Sequence, residues 1–437
     1  MGKYGLSNRG RRRFGLMKPV TTVIGSYPIL PDLVELERYS SISKMAMEGE
    51  EPSDLISRTI ELSVKDFISA GIEVPSTGQT RKDFIRLFLD PDHVSNIDNV
   101  GYDVSVNGRI ARKSSIRLSD VHYAKRFLPK SRKFKEPLTD PYTLARNCKI
   151  VGSSYRDVRE LSFDLAKTVL NPEALELQSQ GGVDYVQFDG PYYSSEHMFP
   201  EYIGELYQSL LEGIDVPVVL HVCGDTASIF KELIKIKGID ILSLDFTYNP
   251  ELIDEVAKHS FDQKIGFGCV KTATNDIEPV SAIRSLIEIG VKKIGEDRIA
   301  MIHPACGQRQ ITTDAAYMKN VNMVIARNEV FFGEPLTKNI IAKASPPKDG
   351  SDLDGYFLLQ VDHESKIIIA TRYSSENIPK VVVKGNSGEK VLNSILLSEL
   401  APDARQSSYL GYELSKAEMA LRSNIPYRQH QILKITK

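Results

Sequence analysis

Along residues 19–330, apolar positions gather into short β-branched runs separated by stretches of helical period. The runs are Thr21–Tyr27, Gly71–Pro75, Lys133–Leu138, Val183–Phe188, Pro217–Cys223, Ile239–Phe246, Lys264–Val270 and Ile299–His303. Between them, apolar residues recur with the spacing of a one-sided helix over Asp54–Ser69, Asp157–Gln178, Pro200–Leu211, Thr226–Ile236, Pro250–His259, Val280–Ile289 and Asp314–Asn328. Strands alternating with helices predict an α/β fold with a parallel sheet, and this number of them predicts a (β/α)8 TIM barrel. An open, doubly wound sheet is the alternative. No G-x-G-x-x-G or Walker sequence follows the first run, which weighs against a nucleotide-binding version of that alternative. Residues 100–118 alternate in the strand manner around Asn107-Gly108 and read as a hairpin inserted in the second or third βα unit.

A composition break between Lys343 and Asp352, around Pro346-Pro347-Lys348-Asp349-Gly350, marks a linker. Beyond it come strand patterns at Gly355–Val361, Lys366–Tyr373 and Lys380–Lys384, then helical ones at Lys390–Leu400 and Ser407–Ser423. The chain therefore divides into a flexible tail over 1–16, a barrel domain over 17–340 and a small α/β accessory domain over 345–437. In the tail, Arg11-Arg12-Arg13 reads as solvated charge, and Arg9 to Arg13 is not followed by the apolar run of a signal peptide.

Of the 437 residues, 41% are hydrophobic and 26% charged, the balance of a soluble chain with a large core. A net charge of −2 gives no footprint for nucleic acid or an anionic membrane. Four cysteines in a chain of this length are not a disulfide framework and point to the reducing cytoplasm. They then call for burial or metal.

His221-Val-Cys223 ends the fifth run, and residues i and i+2 of a strand share a face. Asp245 ends the sixth run, 22 residues after Cys223, and Cys306 follows the eighth, 61 residues after Asp245. In a barrel these strand ends form the mouth where active sites sit. Two thiolates, an imidazole and a carboxylate suit tetrahedral zinc rather than magnesium or calcium. Cys148 and Cys269 read as core cysteines, and His303 as a packing or supporting residue on the face opposite Cys306. Arg81 reads either as a contact for an anionic substrate group or as half of a salt bridge at the barrel mouth.

The His221-x-Cys223, Asp245 and Cys306 spacing resembles the zinc site of the cobalamin-independent methionine synthase family, in its C-terminal catalytic half. Three further segments carry the likeness. Thr22-Val-Ile-Gly-Ser26 resembles the family's first-strand loop, which implies that Ile24, Gly25 and Ser26 hold the homocysteine carboxylate. Gly78-Gln-Thr-Arg81-Lys-Asp83 is similar to its second-strand motif. Val186-Gln-Phe-Asp189-Gly-Pro191 is similar to the strand whose aspartate, here Asp189, takes the amino group. The resemblance implies a zinc-dependent thiol methyltransferase of one-carbon metabolism that makes methionine, with Asp245 as the fourth, exchangeable ligand.

The sequence departs from that family at four places. Asp245 stands for a glutamate. No tryptophan exists to stack a folate pterin, and Thr139-Asp-Pro141-Tyr142-Thr143 offers Tyr142 instead. The loop Val270-Lys271-Thr-Ala-Thr-Asn275-Asp276 lacks the family's catalytic histidine, whose work falls to His197, Lys271 or Asp276. Gln79-Thr80 replaces an acidic residue. These departures point to the short archaeal forms and to a methylated corrinoid protein, or another C1 carrier such as a pterin, as methyl donor. The run Ser408–Leu421 resembles an uncharacterised domain fused to archaeal C1- and pterin-linked proteins. The alternatives are another acceptor thiol, such as coenzyme M, and a non-catalytic zinc protein.

Overall fold

The computed structural model describes residues 18–28, 53–100, 103–195, 199–311 and 313–333, together with the backbone of short strands between 337 and 434. Its strands up to residue 304 are β1 (Val20–Thr21), β2 (Ile97–Val100), β3 (Asp103–Val106), β4 (Lys135–Thr139), β5 (Cys148–Ile150), β6 (Tyr185–Asp189), β7 (Val218–Val222), β8 (Ile241–Asp245), β9 (Lys264–Val270) and β10 (Ile299–Pro304). Seven of them form one parallel sheet in the order β1-β10-β9-β8-β7-β6-β4. The segment Glu73–Pro75 closes the ring. Glu73 and Val74 donate their N–H groups to Thr21 at 3.2 and 3.0 Å, and Lys135 donates to Pro75 at 3.0 Å. The expected barrel is thus present; of the expected runs, Gly71–Pro75 joins it by a single bridge, Thr22↔Val74, and Thr21–Tyr27 is a strand only at Val20–Thr21.

Strand alternation sorts side chains into an outer and an inner set. Val186, Phe188, Leu220, Leu242, Leu244, Phe267 and Ile302 join the main core under the helices. Val74, Tyr185, Val219, Ile241 and Met301 form a separate apolar plug inside the barrel, at the N-terminal end of the strands. Two residues further along each strand, the inner set turns polar: Gln187, His221, Ser243 and His303. Two further on stand Asp189, Cys223 and Asp245. A buried polar layer needs internal partners, and the apolar plug seals it from water at the far end.

The inserted hairpin is real, but its turn lies elsewhere. β2 pairs antiparallel with β3 from Ile97↔Val106 to Val100↔Asp103, so Asn107-Gly108 follows the second strand and does not join the two. β3 also pairs in parallel with β5, a strand not expected from the sequence. The expected helix over 157–178 runs as α turns (Val158–Asp164, Asn171–Glu176) alternating with wider π turns (Leu165–Leu170, Leu177–Gly181). Pro172 lacks the N–H that a regular turn there would use, which accounts for the first wide turn.

Beyond residue 336, strands Tyr356–Asp362, Ile367–Tyr373 and Val382–Gly385 match the expected ones. Gly388–Val391 is a strand paired with Val382–Gly385, so the helix expected from Lys390 does not begin there. The rest of that helix and Ser407–Ser423 lie outside the described residues. Among the described residues, no helix is long and apolar enough to cross a membrane.

Candidate active site

His221, Cys223 and Cys306 come together at the C-terminal mouth. One ligand atom from each lies within 4.8 Å of the others, and this is the only such group among the described residues. His221 is 2% exposed, and its Nε2 is buried without a hydrogen-bond partner. Leaving a buried polar atom unsatisfied costs about 1–3 kcal/mol. Burial, with His303 and Lys135 adding to it, pulls the His221 imidazole well below the ordinary histidine range. It is therefore neutral, with a lone pair to give. The hydrogen bond to Cys306 pushes the Cys223 thiol well above its usual range, with burial and the charges of Asp189 and Asp245 in support. A bare imidazole nitrogen beside two thiols, with the carboxyls of Asp189 and Asp245 near enough to act on Cys223, fits a soft divalent cation such as zinc.

Asp245 is not one of the convergent donors. Its Oδ1 accepts from the N–H and the hydroxyl of Thr247, both at 2.8 Å, and from the Tyr248 N–H at 3.4 Å, which caps the turn after β8. Burial raises its carboxyl above the usual range. Its charge acts on Cys223, so it belongs to the same mouth.

Asp189 sits beside the first-strand loop. Its Oδ1 accepts from Gln187 Nε2 at 2.6 Å, and the same amide donates to the Ile24 carbonyl at 3.2 Å. Gln187 Oε1 accepts from the ammonium of Lys135, which also donates to the Val23 carbonyl at 2.5 Å. Burial pushes Asp189 up and Lys135 down, and the opposite charge of each partner pulls the other back. A Cβ on Gly25 would stand 2.7 Å from Gln79 Oε1 and 3.4 Å from Asp189 Oδ2, so only glycine lets these groups approach. Ser26 lies against Gly307, next to Cys306, and its carbonyl accepts from the Gln308 N–H at 2.6 Å. Ile24, Gly25, Ser26 and Asp189 thus border the thiols. Gln79 holds a left-handed φ of 40°, uncommon for a side-chain residue, and its amide donates to the Pro137 carbonyl at 3.1 Å.

The other expected groups are placed less centrally. His197 lies outside the described residues. Arg81 pairs with Asp120 at 2.7 Å, the salt-bridge reading of that residue. Tyr142 is buried and stacked on Tyr193 at 5.5 Å, so it offers no free shelf. Lys271 is exposed and lies 5.5 Å over the Tyr248 ring, and its charge lowers Asp245. Asp276 is also exposed. Cys269 is buried, and Cys148 donates to the Leu144 carbonyl at 3.2 Å.

His303 differs from expectation. It points into the barrel, with its ring centroid 6.1 Å from that of His221. The register shifts between His303 and Pro304, so strand parity does not carry on to Cys306. Ser243, Lys135 and Gln187 were not singled out from the sequence. For Ser243 and Gln187 the available signal was a polar residue two positions before Asp245 and Asp189 in an otherwise apolar strand; for Lys135 it was a charge at the start of the strand run Lys133–Leu138.

The family model described as cobalamin-independent synthase, catalytic domain, matches residues 19–329, and a second, PterinBD-DUF4346, matches residues 351–430. The methionine synthase of Methanothermobacter marburgensis is 33% identical over 318 residues, which are 71% of this chain and 99% of that protein. That of Methanocaldococcus jannaschii is 32% identical over 323 residues, 70% of this chain and 98% of that protein. A B12-independent methionine synthase structure from Shewanella sp. W3-18-1 covers 72% of this chain and 98% of its own, with a TM-score of 0.61 at 21% identity, which shows a shared fold.

Proposed function

This chain belongs to the cobalamin-independent synthase catalytic-domain family, and from that premise we propose that it is a zinc-dependent methyltransferase acting on the thiol of homocysteine to give methionine. The observation that carries this reading is the unpartnered Nε2 of His221 among the thiols of Cys223 and Cys306, beside Asp189 and the Ile24-Gly25-Ser26 loop. His221, Cys223 and Cys306 would hold the metal; Asp245, whose Oδ1 caps the turn after β8, would join as the exchangeable fourth donor through its other oxygen. Bound there, zinc would supply Lewis acidity that removes the proton of a substrate thiol at neutral pH.

The chain's own residues bind and orient. Asp189, fixed by Gln187, accepts the substrate ammonium. The backbone at Ile24 and Gly25 and the Ser26 hydroxyl take its carboxylate. Together they would fix the sulfur at the thiol cluster in line with a methyl group, where orientation contributes most to the rate. His197 is assigned the proton shuttle on sequence grounds. The chain has no tryptophan, and Tyr142 is committed to the core. Both facts favour a methylated corrinoid protein or another C1 carrier over a stacked folate. The second family match extends the range of carriers to pterins.

Zinc content and zinc-edge X-ray absorption, with and without homocysteine, test the reading. One zinc whose sulfur count rises from about two to about three on adding homocysteine is expected. An unchanged shell rejects homocysteine as acceptor and moves weight to another thiol. No zinc after reconstitution under reducing conditions overturns the metal site.

A further inference from the structure

We infer that a hydrogen-bond chain running from the Pro304 carbonyl through His303 and Ser243 fixes the tautomer of His221, which makes His303 a positioning residue for the metal-facing imidazole. The consequence for metal binding rests on the zinc reading above; the tautomer assignment does not.

The direction of the chain follows from what each group can do. A carbonyl only accepts, so the contact of His303 Nδ1 with the Pro304 oxygen at 2.8 Å puts the proton on Nδ1. The Gly266 backbone also lies within reach of the ring, but its contact is weaker than that with Pro304, so the one proton of a neutral imidazole stays on Nδ1 and His303 Nε2 accepts. The hydroxyl of Ser243, 2.9 Å away, donates to it. Having given its only proton, Ser243 Oγ accepts from His221 Nδ1 at 3.0 Å. The carbonyl of Ser243 at 3.2 Å makes the same demand on that nitrogen. His221 is left with its proton on Nδ1 and a bare Nε2, the atom that has no partner. Both rings are buried, and among the described residues no carboxylate is bonded to either.

The barrel makes room for this chain. His303 lies on β10 and Ser243 on β8, with β9 between them. The register pairs Ser243 with Gly266 and His303 with Gly268. A Cβ on Gly266 would stand 2.8 Å from His303 Nε2 and 3.1 Å from Ser243, so the imidazole reaches Ser243 because β9 carries glycine at the inward positions 266 and 268 that it crosses. One hydrogen-bonded line thereby links the backbone beside Cys306 to the ligand on β7. It orients the donor before any metal arrives, the arrangement that keeps a ligand histidine in its binding form.

Histidine tautomers are read from nitrogen-15 NMR of the full metal-free chain, and zinc affinity from chelator competition. His221 protonated on Nδ1 is expected in the wild type. Ser243→Ala and His303→Phe keep the Ser243 carbonyl contact, so each should move part of the His221 population to the other tautomer and weaken zinc binding by about 10–100-fold. His303→Gln, whose amide oxygen can accept from Ser243, should restore most of the affinity. A wild-type His221 protonated on Nε2 overturns the inference even if every variant fails to fold. So does zinc affinity unchanged in both Ser243→Ala and His303→Phe. A wild type that binds no zinc removes the metal reading, while the tautomer result still decides the hydrogen-bond chain.

Discussion

At the scale of single residues, His221 and Asp189 divide the work between metal and substrate. Cys223→Ser or Cys306→Ser replaces a soft donor with a hydroxyl that does not ionise near neutrality. Either should lower zinc affinity by more than about 100-fold, a loss at or beyond that of removing a supporting partner; metal analysis after dialysis checks it. Asp189→Asn removes the charge facing an ammonium. Charged hydrogen bonds contribute about 1.5–3 kcal/mol, so KM for homocysteine should rise about 10–100-fold with a smaller change in kcat. Burial raises the Asp189 carboxyl, so its ionised, ammonium-binding form gives way closer to neutrality than an ordinary aspartate would. KM should therefore climb as pH falls in the wild type and stay flat in Asp189→Asn.

At the scale of elements, charges locked between strand and helix hold the mouth. Arg117 is fully buried at the start of the helix Leu118–Lys125. It donates to Glu136 on β4 at 2.8 Å, to Asp120 at 2.5 Å and to Thr77 at 2.7 Å. Arg117→Leu strips the buried Glu136 of its cation and leaves Asp120 with Arg81 alone, and should cost about 3–5 kcal/mol in urea unfolding. Asp140 caps the helix Pro141–Arg146 through the Thr143 N–H at 2.8 Å and accepts from Tyr193 and Tyr207 at 2.6 and 2.9 Å. Burial outweighs these bonds and lifts its carboxyl from 3.8 to about 6. The folded state thus holds this proton more tightly than the unfolded chain. The stabilisation is complete below the unfolded value and is lost as pH rises through about 6. Between pH 4 and 7 the wild type should lose about 2.4 kcal/mol relative to Asp140→Asn, read from unfolding free energies at each pH.

At the scale of the whole molecule, the inner barrel is graded from an apolar plug, through a polar hydrogen-bonded layer, to the donors at the rim. That gradient lets neutral imidazoles and thiols coexist with buried carboxylates, because the plug excludes water from one end and substrate enters at the other. The division into a barrel over 17–340 and an accessory domain over 345–437 is a proposal that rests on the Pro346-Pro347 linker and on two separate family matches. Limited proteolysis should cut first between 343 and 352, and the barrel fragment should keep one zinc per chain. Loss of zinc on that cut would reject the division.

The barrel was legible from the sequence because buried parallel strands need continuous β-branched runs and the intervening helices need one apolar face; both requirements are local. His221, Cys223 and Cys306 were legible because soft donors at strand ends are a chemical signal that survives without coordinates. Tertiary structure decided what depends on distance across the barrel. It left Asp245 capping its own turn, set Asn107-Gly108 after the second strand of the hairpin and paired Arg81 with Asp120. It also turned His303 inward, because a register shift breaks the parity that sequence counting assumes. The roles of Ser243, Lys135 and Gln187 arise only when strands distant in the chain become neighbours, since a buried polar group is defined by the partner it finds and not by its own position in the sequence.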